Sequence, residues 1–326
     1  MADHDAVICI DDWAPDESAY EKGYYPEGTR DKAVYFSPAD APPPLRPNWR
    51  YLLKESRKWT PWQFWMEVIA YRFGDLVGVK VPPAYVGVVH RDEGPVYGAL
   101  IEWFYSAEER YVEGARLIAP YVPKFDYKKG QPHTLQTIID AMTALGTPDN
   151  AKFAIQHWAN VLTFDTLIGN RDRHPENWGL IATPVPSTLR PGEIVRLRFS
   201  PAFDNGTAMC YEQQEDHLKD FDNGQHVLRY LTHPKRARHH MGWSLEEYDV
   251  GNFFDFMNRF VSRYPDIKPA VASRLTFSGE ALRERAAQLP LIEVPETYRL
   301  TLPRLELTLA MILRRAAILR ETLGTR

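Results

Sequence analysis

A chain of 326 residues is long enough to bury a sizeable core, as one large domain or as two lobes. Its net charge of −4, with 25% charged residues, gives no basic surplus of the kind that binds nucleic acid or an anionic membrane, and no apolar run approaches the length of a membrane helix. Cys9 and Cys210 are too few for a disulfide framework and lack zinc-site spacing, which favours a reducing, cytosolic setting, and the acidic start MADHDAVICIDDW does not read as a secretory signal.

Residues 6–10 read as a short strand. Residues 24–32 read as a turn carrying Gly28, and residues 33–37 as the strand that leaves it. Such a turn can bring backbone N–H groups close to phosphate, and it can equally be a plain hairpin turn. Beyond a proline-rich loop, residues 49–55 form an apolar and aromatic strand that ends on Lys54. A lysine there is either a point charge for phosphates or an edge lysine in water.

Thr60-Pro61 reads as the cap and first position of a helix that Gly78 closes. Phe64, Val68, Tyr71 and Leu76 give it one apolar stripe, which Trp62, Trp65, Met66 and Phe73 widen. Glu67 lies inside that stripe, so its carboxylate needs water at an edge or a cation, for which Lys54 is the candidate. Two strand-like runs, 84–89 and 96–101, lead to Glu102-Trp103-Phe104-Tyr105, which, if the fold is two-lobed, is the connecting segment, and its backbone would then meet an adenine edge.

Residues 105–133 show few clear periods. Helices are predicted over 133–145 and 149–168, the second running directly into Gly169-Asn170-Arg171-Asp172-Arg173-His174-Pro175-Glu176-Asn177. A hairpin of residues 177–182 and 194–199 then returns the chain to Phe203-Asp204-Asn205-Gly206. An Asp, an Asn five residues on, and a second Asp after a hairpin are what transfer from Mg-ATP requires: one carboxylate for the attacking hydroxyl, and an amide oxygen and a further carboxylate for magnesium. His174, between Asp172 and Asn177, is better suited to supporting the loop than to moving a proton. The run Lys235-Arg236-Ala237-Arg238 with His239-His240 is expected to be exposed, as solvated charge or, in a sharper reading, as a surface for an acidic substrate. Helices over 245–264, 278–288 and 302–323 are expected to pack the lower lobe.

This ordered set of motifs resembles the HipA-like kinases and, more distantly, the phosphatidylinositol kinases. The loop Asp-x-His-x-x-Asn appears as Asp172, His174 and Asn177, and the metal-binding Asp as Asp204. The glycine loop with its trailing lysine appears as Gly28, Thr29, Arg30 and Lys32, the phosphate lysine as Lys54, its helix partner as Glu67, and the adenine segment as Glu102-Trp103-Phe104.

The resemblance implies an α+β, two-lobed protein-kinase-like fold, with a small β-rich N-lobe (1–104) and a mainly helical C-lobe (105–326). It implies catalytic roles for Asp172, His174, Asn177 and Asp204. Magnesium would lie on Asn177 and Asp204, and ATP against Gly28, Thr29, Arg30, Lys32, Lys54, Glu67, Glu102 and Phe104. The acceptor would be a protein serine or threonine. Only about two dozen residues precede the glycine loop, so a stand-alone core is implied, with a regulatory or antitoxin protein supplied separately or absent. The toxins' autophosphorylated loop serine has no clear counterpart among Ser18, Tyr24, Tyr25 and Thr29. Two alternatives stay open: a lipid or small-molecule kinase, and a nucleotide-binding pseudokinase or interaction module.

Overall fold

The computed structural model describes residues 6–17, 32–145, 148–185 and 195–325. Its first half is built on a six-stranded sheet in the order β1-β5-β6-β4-β3-β2. The strands are β1 (Ile8–Cys9), β2 (Ala14–Pro15), β3 (Lys32–Phe36), β4 (Arg50–Glu55), β5 (Ala84–Arg91) and β6 (Gly94–Glu102). β1 runs parallel to β5, and every other pairing is antiparallel.

Strand periodicity sorts β4 by face. Tyr51 and Leu53 enter a small core with Ile10, Trp13 and Leu100, while Leu52 and Lys54 face the cleft on the other side. The register sets Lys54 opposite Ala99 of β6 and Lys32 of β3, so a small residue and a second lysine flank it.

The connection from β4 to β5 carries α1 (Trp65–Val77). It begins later than Thr60-Pro61 predicts, and Thr60 does not cap it: Phe64 is the N-cap, without a side-chain bond. Residues 61–64 form a tighter turn, with the Trp65 and Met66 N–H groups donating three residues back, to Trp62 O and Gln63 O, at 3.1 Å. That turn is held from outside by Trp62 Nε1 on Tyr211 O (2.9 Å) and Gln63 Nε2 on Gly206 O (2.9 Å). Tertiary bonds therefore override the local capping signal. The other end agrees with expectation, with Gly78 in the left-handed region at φ 69°.

The second half is mainly helical, around a small antiparallel sheet, β7 (Arg110–Glu113), β8 (Gly179–Pro184) and β9 (Val195–Phe199). β7 lies in the stretch that showed no period, and α2 (Gly114–Ile118) follows it. Close to the predicted spans are α3 (Leu135–Ala144), α4 (Pro148–Ile168), α8 (Gly279–Ala286) and α9 (Leu302–Leu323). Between them lie α5 (Gly224–Thr232), α6 (Phe253–Arg263) and α7 (Lys268–Ser273).

The helix expected from residue 245 starts only at Phe253, because Gly251 sits at φ 87° and Asn252 with Asp255 forms a capping box. The basic run is not uniformly exposed either: Lys235 and Arg236 are, but Ala237 and His239 are buried. His239 is packed edge-on against Phe253 and Phe256.

One hydrophobic core runs from α1 and strands β5 and β6 through α3, α4, α6 and α9. Among the described residues no helix is long and apolar enough to cross a membrane.

Candidate active site

The cleft between the large sheet and the helical half encloses about 220 Å³ and is lined by Leu52, Lys54, Ile101, Phe104, Phe203 and Asp204, among others. Lys32, Glu102 and Glu176 also reach it. Its walls are mixed: aliphatic and aromatic where Phe104 stacks on Phe203 (centroids 5.0 Å apart), and charged at Lys54 and Asp204. That suits a ligand with one flat apolar end and one anionic end.

Lys54 is the centre of the charged end. Its Nζ donates to Glu67 Oε1 at 2.7 Å and to Asp204 Oδ1 at 2.6 Å. The lysine side chain is 7% exposed and that of Glu67 4%, so the cost of burying each is offset by its partner. Glu67 also accepts the N–H groups of Asn205 (Oε2, 2.8 Å) and Gly206 (Oε1, 3.0 Å). One carboxylate on α1 thus fixes both the lysine of β4 and the backbone just after Asp204. Asp204 itself sits at φ 56°, a left-handed conformation that Asp tolerates better than most residues and that needs such surrounding support.

The loop after α4 is built from its own backbone. Gly169, at φ 69°, ends the helix, and the Asn170 N–H returns to Asp165 O at 2.8 Å. Asn170 Oδ1 accepts the Asp172 N–H (2.9 Å), an Asx turn that aims Asp172. Asn177 Nδ2 donates to Asp172 O at 2.8 Å, which leaves Asn177 Oδ1 without a partner among the described residues. A carboxylate and an unpartnered amide oxygen are hard donors of the type magnesium takes. Asp172 Oδ2 lies 3.5 Å from Thr207 Oγ1, so a hydroxyl already stands beside that carboxylate. His174 is held near Glu176, at 3.6 Å, and packs edge-on against His240, in keeping with a supporting place in the loop.

Arg173 was given no role from sequence, yet it ties the loop to Asp204. It is 1% exposed and pairs bidentately with Asp165 of α4, Nε to Oδ2 at 3.0 Å and Nη2 to Oδ1 at 2.8 Å. Nη2 also reaches Asn205 Oδ1 (2.8 Å), and Nη1 donates to the carbonyls of Asn177 and Phe203. The backbone of Asn177 and the residue before Asp204 are therefore joined through a single nitrogen. Burial pulls the guanidinium pKa down, but the charge and hydrogen bonds of Asp165, together with the charges of Asp204 and Glu67, outweigh it, so the Arg173 pKa lies above its ordinary value. The usable signal was an Arg between Asp172 and His174 with an Asp one helical face earlier, at 165.

The 102–105 segment differs in detail from expectation. The Glu102 N–H goes to Pro83 O (2.8 Å) and that of Trp103 to Arg50 O (3.0 Å), so neither donor can meet an adenine edge. The Phe104 N–H has no partner among the described residues. The Glu102 carboxylate turns to Tyr51 (3.2 Å) and Arg46 (3.4 Å), and burial raises its pKa against the pull of that arginine. Gly28, Thr29 and Arg30, with Ser18, Tyr24 and Tyr25, lie outside the described residues.

A family model, the HipA-like C-terminal domain, matches residues 27–268. No curated protein matches the sequence. Among solved structures, the Helicobacter pylori proinflammatory kinase CtkA aligns with a TM-score of 0.68 at 15% identity, over 97% of this chain and 96% of that one. HipA of Shewanella oneidensis, solved with HipB and operator DNA, aligns with a TM-score of 0.49 at 14% identity, over 96% of this chain and 72% of that one.

Proposed function

Because the chain belongs to the HipA-like C-terminal domain family, we propose that it is an ATP- and magnesium-dependent kinase with a protein serine or threonine as acceptor. The observation that carries this is Lys54, which bridges Glu67 and Asp204 at the charged end of a cleft that also holds Phe104 and Phe203.

In this reading the lobes divide after Phe104. The adenine lies between the Leu52 side and Phe203, and the Phe104 N–H is its backbone donor. Lys54 and Lys32 hold phosphate oxygens, and the family resemblance adds Gly28, Thr29 and Arg30 to them. Asn177 Oδ1 and Asp204 hold magnesium, which when bound neutralises charge on the phosphates. Asp172 orients the acceptor hydroxyl and takes its proton as the new O–P bond forms and the bond from the γ-phosphorus to the bridging oxygen breaks, releasing ADP. His174 supports the loop. Catalysis on this plan is positioning and charge stabilisation rather than covalent chemistry. A separate regulatory or antitoxin protein belongs to the proposal on family resemblance alone.

Incubation with γ-labelled ATP and mass spectrometry of whatever gains a phosphate tests this directly. Asp172→Asn and Asp204→Ala should each lower transfer by at least roughly a thousandfold with the circular dichroism unchanged, since each removes a group used at the reacting atoms. Transfer that survives in either variant, or a target that gains the mass of AMP and no label, sinks the assignment.

A further inference from the structure

A second cavity, of about 600 Å³, shares no lining residue with the nucleotide cleft and takes in Arg171, the chain neighbour of Asp172. Its walls come from the loop before Asp172 (Gly169, Arg171), the segment after Asp204 (Thr207, Cys210, Glu212), α5 and the turn after it (Arg229, His233, Arg236), and α9 (Arg315). Four arginines face one glutamate, and that glutamate already accepts the Tyr230 hydroxyl at 2.8 Å. On a chain of net charge −4 this is a strong local excess of positive charge.

Arg315 sets this apart from ordinary surface charge. It is 3% exposed; among the described residues the Cys210 thiol stands beside it, its Nε and Nη1 make no hydrogen bond, and no carboxylate pairs with it. A guanidinium is not normally buried without an anion, because desolvation is repaid only by a partner. Arg171, Arg229 and Arg236 are exposed and likewise have no carboxylate partner among the described residues. They line the same cavity as Arg315, and guanidinium groups are planar donors suited to oxyanions. Thr207, in the same wall, is the residue whose hydroxyl lies 3.5 Å from Asp172 Oδ2.

We propose that this cavity is the acceptor subsite, and that the acceptor protein carries an oxyanion, a phosphate or clustered carboxylates, close to the serine or threonine that is phosphorylated. The inference rests on the kinase assignment above, since it places the acceptor at Asp172. The anion is read by the buried Arg315 and by the exposed Arg171, Arg229 and Arg236. Anchoring it there would deliver the neighbouring hydroxyl to the position Thr207 now marks.

The test uses the full chain, with a non-hydrolysable ATP analogue and magnesium filling the nucleotide cleft. Three fluorescein-labelled serine peptides are compared by anisotropy: one flanked by phosphoserine, one by aspartates, one by neutral residues. Tighter binding of the phosphorylated or aspartate peptide, by about tenfold or more over the neutral one, is expected. The preferred flank tells phosphate from carboxylate. Arg229→Gln and Arg236→Gln, both on the surface, should each remove most of that preference, and Arg315→Met should abolish it. Equal binding of all three peptides, or a preference that survives in the Arg229→Gln and Arg236→Gln variants, overturns the proposal, as does displacement of the peptide by any oligonucleotide through the same arginines. Labelled ATP then separates the two claims. Selective binding without transfer removes the kinase assignment and leaves an anion site; transfer that ignores the flanking charge does the reverse.

Discussion

Arg173 shows what a single buried side chain can hold in place. It spends all three guanidinium nitrogens on Asp165, Asn205 and the carbonyls of Asn177 and Phe203. Arg173→Met would leave Asp165 buried and unpaired, at a cost of roughly 3–5 kcal/mol in urea unfolding. The double variant with Asp165→Leu should recover a large part of that stability without recovering transfer, because the tether to Asp204 stays broken. A pH effect belongs at this scale too. Burial, with the nearby Arg173 charge adding to it, lowers the His239 pKa from 6.5 to about 3, so the folded protein keeps this imidazole neutral. The unfolded chain takes up the proton first as pH falls, so the stabilisation is complete above about pH 6.5 and declines from there down to about pH 3. The loss attributable to His239 should reach about 2 kcal/mol near pH 5. His239→Gln should flatten the slope of unfolding free energy against pH in that window, and an unchanged slope would reject a buried neutral imidazole. Of these groups, spacing pointed to Asp172, Asn177 and Asp204 and the family resemblance to Lys54 with Glu67, and the structure brings Lys54, Glu67 and Asp204 together. Spacing did not disclose Arg173 as the hub, since nothing local separates a buried arginine from a solvated one in a loop rich in charge.

Among the elements, α1 repays the closest attention, because its position decides where Glu67 points. Its C-terminus is closed by Gly78 at φ 69°, and a Cβ there would stand 2.8 Å from Arg274 Nη1, which itself donates to Val77 O at 3.0 Å. Gly78→Ala therefore carries a left-handed penalty and disturbs a helix-end bond, together about 1–2 kcal/mol in thermal or urea unfolding. Gly→Ala at Gly224, where a Cβ meets nothing within 4 Å, should be near neutral and serves as its control. The end of an element was legible where a glycine acts locally, as at Gly78. Ends were not legible where distant partners decide. The start of α1 is set by Tyr211 and Gly206, far along the chain, and not by Thr60-Pro61. The start of α6 was readable in principle, since Asn252 and Asp255 spell a capping box after a glycine. β7 has four residues and too little pattern to stand out from the irregular stretch around it.

At the scale of the whole molecule, α1 belongs to both halves at once. Trp65 Nε1 donates to Tyr298 O at 2.7 Å, Gln63 Nε2 to Gly206 O at 2.9 Å, and Arg285 pairs with Asp75 at 2.6 Å, while the helix's inner face packs with β5 and β6 in the same continuous core as α4 and α9. The two-lobed plan was legible in the order of elements; this welding of a helix to the other half was not, because it is made by contacts across long sequence separations. Its consequence is that contacts from both halves hold Lys54, Glu67 and Asp204 together. Nucleotide with magnesium, binding the folded chain and not the unfolded one, should stabilise it by linkage. At about a hundred times its dissociation constant it should add about 2.7 kcal/mol, equivalent to about 4 °C in melting temperature for a chain of this size. Asp204→Ala should lose the magnesium-dependent part of that shift and keep a smaller nucleotide part, whereas Lys54→Met should weaken both, since Asp204 is assigned to the metal and Lys54 to the phosphates themselves. Asp172→Asn should leave the shift whole, because that carboxylate is assigned to the acceptor and not to the nucleotide. A shift that is independent of magnesium, or equal in all four proteins, would mean the ligand is held somewhere other than this cleft.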